Sequence, residues 1–257
     1  MFLLSKLRNI TITKNINRIE IDSFTGCYYL EEFFSESPHF KVYNKALYSN
    51  DLKTLIAYPC NCTSDISPTT LYISNAKGFS GCNIIRFILN VSIKELGRES
   101  FRYCPQLEFI DLSCARFKIV YHATFADTPS LKKVIFPKTV EYFENHIFHN
   151  SGIKTFTFTS NVYKTIDIFI NSKINEVFVC GMNDVSGTMP DGIAIHVSQN
   201  YRSNTFMGHP ITDRNYVCES ISCQTLITDI DIFKCPSVRV SFYFGPAISL
   251  ITPFILI

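Results

Sequence analysis

Short runs in which apolar and polar residues alternate return along the chain at a near-constant interval. They cover residues 30–34, 85–89, 107–112, 131–136, 153–158 and 174–179. The runs follow the pattern apolar-x-x-apolar-x-apolar, as in Leu107, Ile110 and Leu112 or Leu131, Val134 and Phe136, and end in strict alternation. That period predicts strands with one face turned inward. Each run follows a Phe-x-x-Cys unit or a near variant. These units begin at Phe24, Phe79, Phe101, Phe125, Phe148 and Phe169 and end at Cys27, Cys82, Cys104, Thr128, Ser151 and Ser172. From Phe79 onward successive units are 22, 24, 23 and 21 residues apart. One strand per unit of about 20–29 residues is the mark of a leucine-rich-repeat coil. A single unit cannot bury its own apolar face, but stacked units make one continuous core with parallel strands. The fold expected is α/β and mostly β: a right-handed, horseshoe-like solenoid with a parallel sheet and short helical turns.

Between Phe24 and Phe79 the rhythm breaks. Phe40 to Tyr43 and Thr54 to Pro59 flank a polar turn at Ser49, Asn50 and Asp51, which predicts a two-stranded hairpin near 38–60. Residues 1–15 are read as an N-terminal cap and 16–215 as the repeats, closed at the far end by 181–215. Residues 216–257 form an apolar tail.

The ten cysteines in 257 residues fall below the roughly 8–10% of a disulfide scaffold. No CxxC pair occurs. Cys27, Cys82 and Cys104 share one repeat position with Thr128 and Ser151, so they are read as small buried groups, and Cys180 likewise. Cys218, Cys223 and Cys235 with His209 are spaced too irregularly for a metal site to be expected. His146 and His149 fall at a repeat turn and are read as ordinary surface residues. No GxSxG, HExxH, P-loop or GxGxxG motif is present. Neither enzymatic activity nor a cofactor is expected.

A formal net charge of +2 gives no basic field against phosphate, so no nucleic-acid partner is expected. The first ten residues are broken at Lys6 and predict no secretory leader. The stretch from Val240 to Ile257 is uncharged and reaches the lower length limit of a membrane span, but contains Gly245, Pro246 and Pro253. It is a candidate membrane anchor, a packed terminal segment, or the stump of a longer chain.

The unit from Leu96 through Gly97, Phe101 and Cys104 to Leu107, Ile110 and Leu112 resembles the BspA-like leucine-rich repeats of bacteria and trichomonads. Phe136-Pro137-Lys138-Thr139-Val140 matches the family's strand end. Ala46-Leu47-Tyr48-Ser49 with Lys53 to Pro59 resembles its hairpin, and Ile195 to Tyr201 its terminal repeat. The resemblance covers roughly residues 16–215. It departs from the family unit at Thr128, Ser151 and Ser172, and in having one residue fewer before Ile153 and Ile174. It implies a cell-surface or extracellular protein for adhesion or ligand binding, with no catalytic residues.

The residues between the inward ones predict a binding face on the concave side. One column is Glu32, Phe87, Phe109, Lys133, Thr155 and Glu176; the next is Phe34, Leu89, Asp111, Ile135, Thr157 and Phe178. Phe34, Phe87, Leu89, Phe109, Ile135 and Phe178 would make it apolar, with Asp111 and Lys133 among them. Water favours a polar face there, so such a patch points to a protein or glycoprotein ligand. A register one residue off would exchange the faces. The second reading is an intracellular, cytoplasmic scaffold using the same face.

Overall fold

A computed structural model describes residues 6–219 and 223, except 21–22, 25–26, 61–65, 75–77 and 90–91. The stretch from Val240 to Ile257, Cys62 and Cys235 lie outside the described residues. The strands in chain order are β1 (Asn9–Ile12), β2 (Glu32–Ser35), β3 (Phe40–Tyr43), β4 (Ala46–Ser49), β5 (Thr54–Ala57) and β6 (Tyr72–Ile73). There follow β7 (Arg86–Ile88), β8 (Glu95–Leu96), β9 (Phe109–Asp111), β10 (Ile119–Val120), β11 (Lys133–Ile135) and β12 (Tyr142–Phe143). The last six are β13 (Thr155–Phe158), β14 (Lys164–Thr165), β15 (Glu176–Val179), β16 (Ala194–Val197), β17 (Thr205–Phe206) and β18 (His209–Pro210).

The architecture is a mostly-β solenoid of about seven turns. From β7 to β15 each turn contributes one longer strand and one of two residues, and the two kinds stack separately. The longer ones form the parallel ladders β7-β9-β11 and β13-β15-β16, while β10-β12-β14 make a second parallel ladder.

A column of phenylalanines runs through the interior. Phe79, Phe101, Phe125, Phe148 and Phe169 are buried, and successive ring centroids lie 4.7, 5.6, 5.9 and 5.8 Å apart. Their planes differ by only 5° to 19°. The repeat places identical rings at identical heights, and offset stacking adds to the burial of their area. The Cys, Thr or Ser three residues on closes a tight bend behind each ring. Thr128 donates its hydroxyl to the Phe125 carbonyl at 2.6 Å, and Ser172 to that of Phe169 at 2.8 Å. Cys104 donates its thiol to the Phe79 carbonyl at 3.1 Å, and burial pushes its pKa up to about 12. It is an inert core group, as its exchange with Thr and Ser predicts.

The expected helical turns are not found: the described residues contain no helix. The rings of Phe101, Phe125, Phe148 and Phe169 are instead bracketed by left-handed residues two places before and two after. These are Glu99 and Tyr103, Ala123 and Asp127, His146 and Asn150, and Asp167 and Asn171. Asn and Asp tolerate that conformation best, and they occupy four of these eight places; the tertiary stack holds the other four.

The hairpin is larger than the sequence predicts. Asn44 and Lys45, both with positive φ (44° and 69°), make a second reversal. β3, β4 and β5 are thus an antiparallel meander, and β5 continues into parallel pairing with β6 and β6 with β8. Two φ values above zero are what a two-residue hairpin turn requires.

Gly152 stands at the bend of one of the shortened units. A Cβ there would collide with the Pro129 carbonyl oxygen, so this close approach of the two turns requires glycine.

Candidate functional site

Backbone pairing fixes which side chains share the outward face of the longer-strand ladders. Arg86, Phe109 and Lys133 form one column, and Thr155, Glu176 and Ala194 continue it. Ile88, Asp111 and Ile135 form the next, continued by Thr157, Phe178 and His196. Behind them Ile110, Leu112, Phe156, Phe158, Val177 and Val179 are buried.

Two expected face residues point the other way. Phe87 pairs in register with inward-facing Ile110 and packs against the rings of Phe79 (4.9 Å) and Phe101 (5.4 Å). Leu89 is 1% exposed. The unit that starts at Phe79 has two residues from Cys82 to its first inward side chain, Ile84, where the next has three from Cys104 to Leu107. That single step turns every side chain of β7 over. Arg86 and Ile88 take the outward places. Phe34 is 45% exposed, but it belongs to the separate β1–β2 pair, opposite Thr11.

Phe109, Asp111, Lys133, Ile135 and Phe178 do come together, in a groove of about 800 Å³. Its wall is a segment that the repeat pattern does not foresee. Thr212 and Asp213 donate their amides to the Ile195 carbonyl, and Tyr216 donates its amide to that of Val197 at 3.2 Å, so the chain lies along the edge of β16. Tyr216 then rests on Phe178, centroid to centroid 4.6 Å. Cys218 is bonded to Cys180 at the end of β15, and Cys223 to Cys114 just beyond β9. Three strand spacings separate those two anchor points across the ladder, roughly 14 Å. Five residue steps reach about 17 Å, enough to bridge them.

These bonds correct the reading of the cysteines. Cys180 is half of a disulfide, and Cys82 is joined to Cys60 in the preceding turn. Cys218 and Cys223, considered with His209 as metal ligands, are engaged in disulfides, and His209 lies 3.7 Å from Asp191. Cys114 carried a signal: it stands outside the repeat position. Its partner cannot be read from spacing, because pairing depends on the path of the chain.

At the far end of the face His196 stacks on Phe178 at 5.1 Å. It has Glu176 at 3.0 Å on Nε2 and Asp213 on Nδ1. The Asn215 amide, and after it His196, hold the Asp213 carboxyl below its usual range. Near the other end the Arg86 guanidinium lies 4.7 Å from the centre of the Phe109 ring, a cation over a π face. The arrangement is an apolar floor with separated charges and no catalytic constellation.

The BspA type leucine rich repeat region matches the sequence in six copies, over residues 1–64 and 56–176. The chain belongs to this BspA-type family. Proteins built of such repeats are in general protein-interaction modules. No curated protein matches the BspA-type chain described here. Among solved structures, the pneumococcal vaccine antigen PcpA is similar at 15% identity and a TM-score of 0.50, over 82% of this chain and 56% of that one. A leucine-rich cell surface protein of Faecalibacterium prausnitzii aligns at 14% identity and TM-score 0.48, over 87% and 52%. A leucine-rich repeat protein of Eubacterium ventriosum aligns at 15% and 0.49, over 84% and 61%. This BspA-type chain therefore spans between about half and three-fifths of the length of these structures. The likeness to PcpA bears on the fold.

Proposed function

We propose that this BspA-type chain is a non-enzymatic interaction module of the cell surface, which binds a protein or glycoprotein ligand in the groove on its strand face. The observation that carries the reading is the face itself. Ile88, Phe109, Ile135 and Phe178 line an open groove where solvent favours polar side chains. Parallel pairing and the core behind it hold them on a rigid sheet. The three disulfides among the described residues fit an oxidising compartment and weigh against the cytoplasmic scaffold. Among the described residues no helix is long and apolar enough to cross a membrane. Membrane association through Val240 to Ile257 remains a proposal for a segment outside the described residues.

Two outcomes are expected. Protease treatment of intact source cells removes the signal of an antibody to the repeats; a chain cleaved only after lysis would favour the intracellular scaffold. Ile135→Asp, on the outward face, leaves the fold intact but lowers binding of the purified chain to intact cells about tenfold, on the scale of a buried anchor residue. Undiminished binding, followed by flow cytometry, sinks the groove as the docking site.

A further inference from the structure

The charges along the groove point to the chemistry of what lies in it, an inference that rests on the groove being the docking site. Arg86 and Lys133 stand one strand to either side of Phe109. Their backbones are about 10 Å apart, within reach of one another's long side chains. Neither makes an ion pair among the described residues, and neither does Lys138, beyond the end of β11. Three cations outside the groove are paired: Lys132 with Glu108 at 2.8 Å, Lys118 with Glu141 at 2.8 Å, and Arg102 with Asp127 at 3.0 Å. The carboxylate on the same face, Asp111, accepts the Ser113 amide at 2.8 Å.

The chain also displays a segment that this face accepts. Tyr216 lies on Phe178, and Glu219, three residues later, lines the same groove as Lys138. An aromatic group and a carboxylate on an extended backbone are therefore already accommodated at one side, while the cations at β7 and β11 keep open water in front of them.

We propose that the groove binds an extended acidic peptide segment of a partner protein, with an apolar side chain on Ile88 and Ile135 and carboxylates on Arg86 and Lys133. A guanidinium held over a ring meets a carboxylate through two parallel hydrogen bonds with little further ordering. The ammonium beside it adds charge without fixing geometry.

The test uses the oxidised chain and three capped hexapeptides that alternate tyrosine with Glu, Gln or Lys, titrated calorimetrically. The Glu peptide is expected to bind at least about tenfold more tightly than the Gln peptide, as charge-assisted bonds exceed neutral ones. The Lys peptide is expected not to bind, and added salt to weaken the Glu complex. Arg86→Glu with Lys133→Glu reverses the order of the Glu and Lys peptides while leaving the thermal midpoint close to the parent's. Equal affinity for the Glu and Gln peptides, no binding of the Glu peptide, or no response to the double variant overturns the proposal. So does a sulfated oligosaccharide that binds through the same two cations in preference to the Glu peptide. If all three peptides bind equally and Ile135→Asp abolishes each, the preference for acid falls while the groove stands. Loss of the groove itself is read separately, from the cell-binding assay with Ile135→Asp.

Discussion

Phe125→Ala is expected to destabilise the solenoid by about 3–5 kcal/mol. The ring is fully buried, stacked 5.6 Å from Phe101 and 5.9 Å from Phe148, with the edge of Phe136 also 5.9 Å away. Its removal leaves a cavity that the neighbours cannot fill. Their backbones are tied across the turns, Phe101 to the Thr124 carbonyl at 3.0 Å and Phe125 to that of Ile147 at 3.0 Å. The loss is large beside a whole-domain stability of about 5–15 kcal/mol. It also falls in the middle of a one-dimensional array, where each turn is stabilised only by its neighbours. Guanidinium unfolding followed by circular dichroism and by tyrosine fluorescence is expected to lose its single midpoint. A fall below about 1 kcal/mol, far under the usual cost of deleting a core ring, would mean that the column is not a continuous core.

Removing the Cys114–Cys223 disulfide, with both cysteines changed to alanine, is expected to cost about 4–5 kcal/mol. The bond spans 109 residues, and in the chain-entropy account a closed loop of that size restricts the unfolded state most. Removing Cys60–Cys82, with a span of 22 residues, is expected to cost roughly 3 kcal/mol on the same reckoning. The order of the two is the sharper test, since both variants are measured against one parent by denaturant unfolding. A smaller cost for the longer span would show that the wall of the groove is not pinned in solution.

The strands and the phenylalanine column were legible because both depend on periodicity alone. Inward places at every second residue and one ring per turn follow from the need of each unit to bury a face against the next. Phe109, Asp111, Lys133, Ile135 and Phe178 were therefore placed on the correct face. Phe87 and Leu89 were not, because face assignment needs the register, and the register hangs on one residue between Cys82 and Ile84. The same shortening is visible before Ile153 and Ile174, so the signal was present in the sequence. The bends were misread as helical because Phe-x-x-Cys spacing fits either geometry. Left-handed residues such as Tyr103 and Ala123 are imposed by the stack and leave little trace in local preference. The wall of the groove was out of reach for a different reason. It lies beyond the repeats, and its position follows from two bonds whose partners are 38 and 109 residues apart.

That connectivity sets an order of events during synthesis. Turns can stack as they emerge, each on the one before, and Cys60 meets Cys82 one turn later. Cys114 must stay reduced until Cys223 has been made. At about 5–20 residues per second that interval is roughly 5–20 s. Its near neighbour Cys104 is already withdrawn behind Phe79 by then, so the thiol best placed to compete for Cys114 is out of reach of exchange. The nascent protein thus passes through a stage in which the ladder is complete and its outward face is uncovered, before the Cys114–Cys223 bond draws one wall across it.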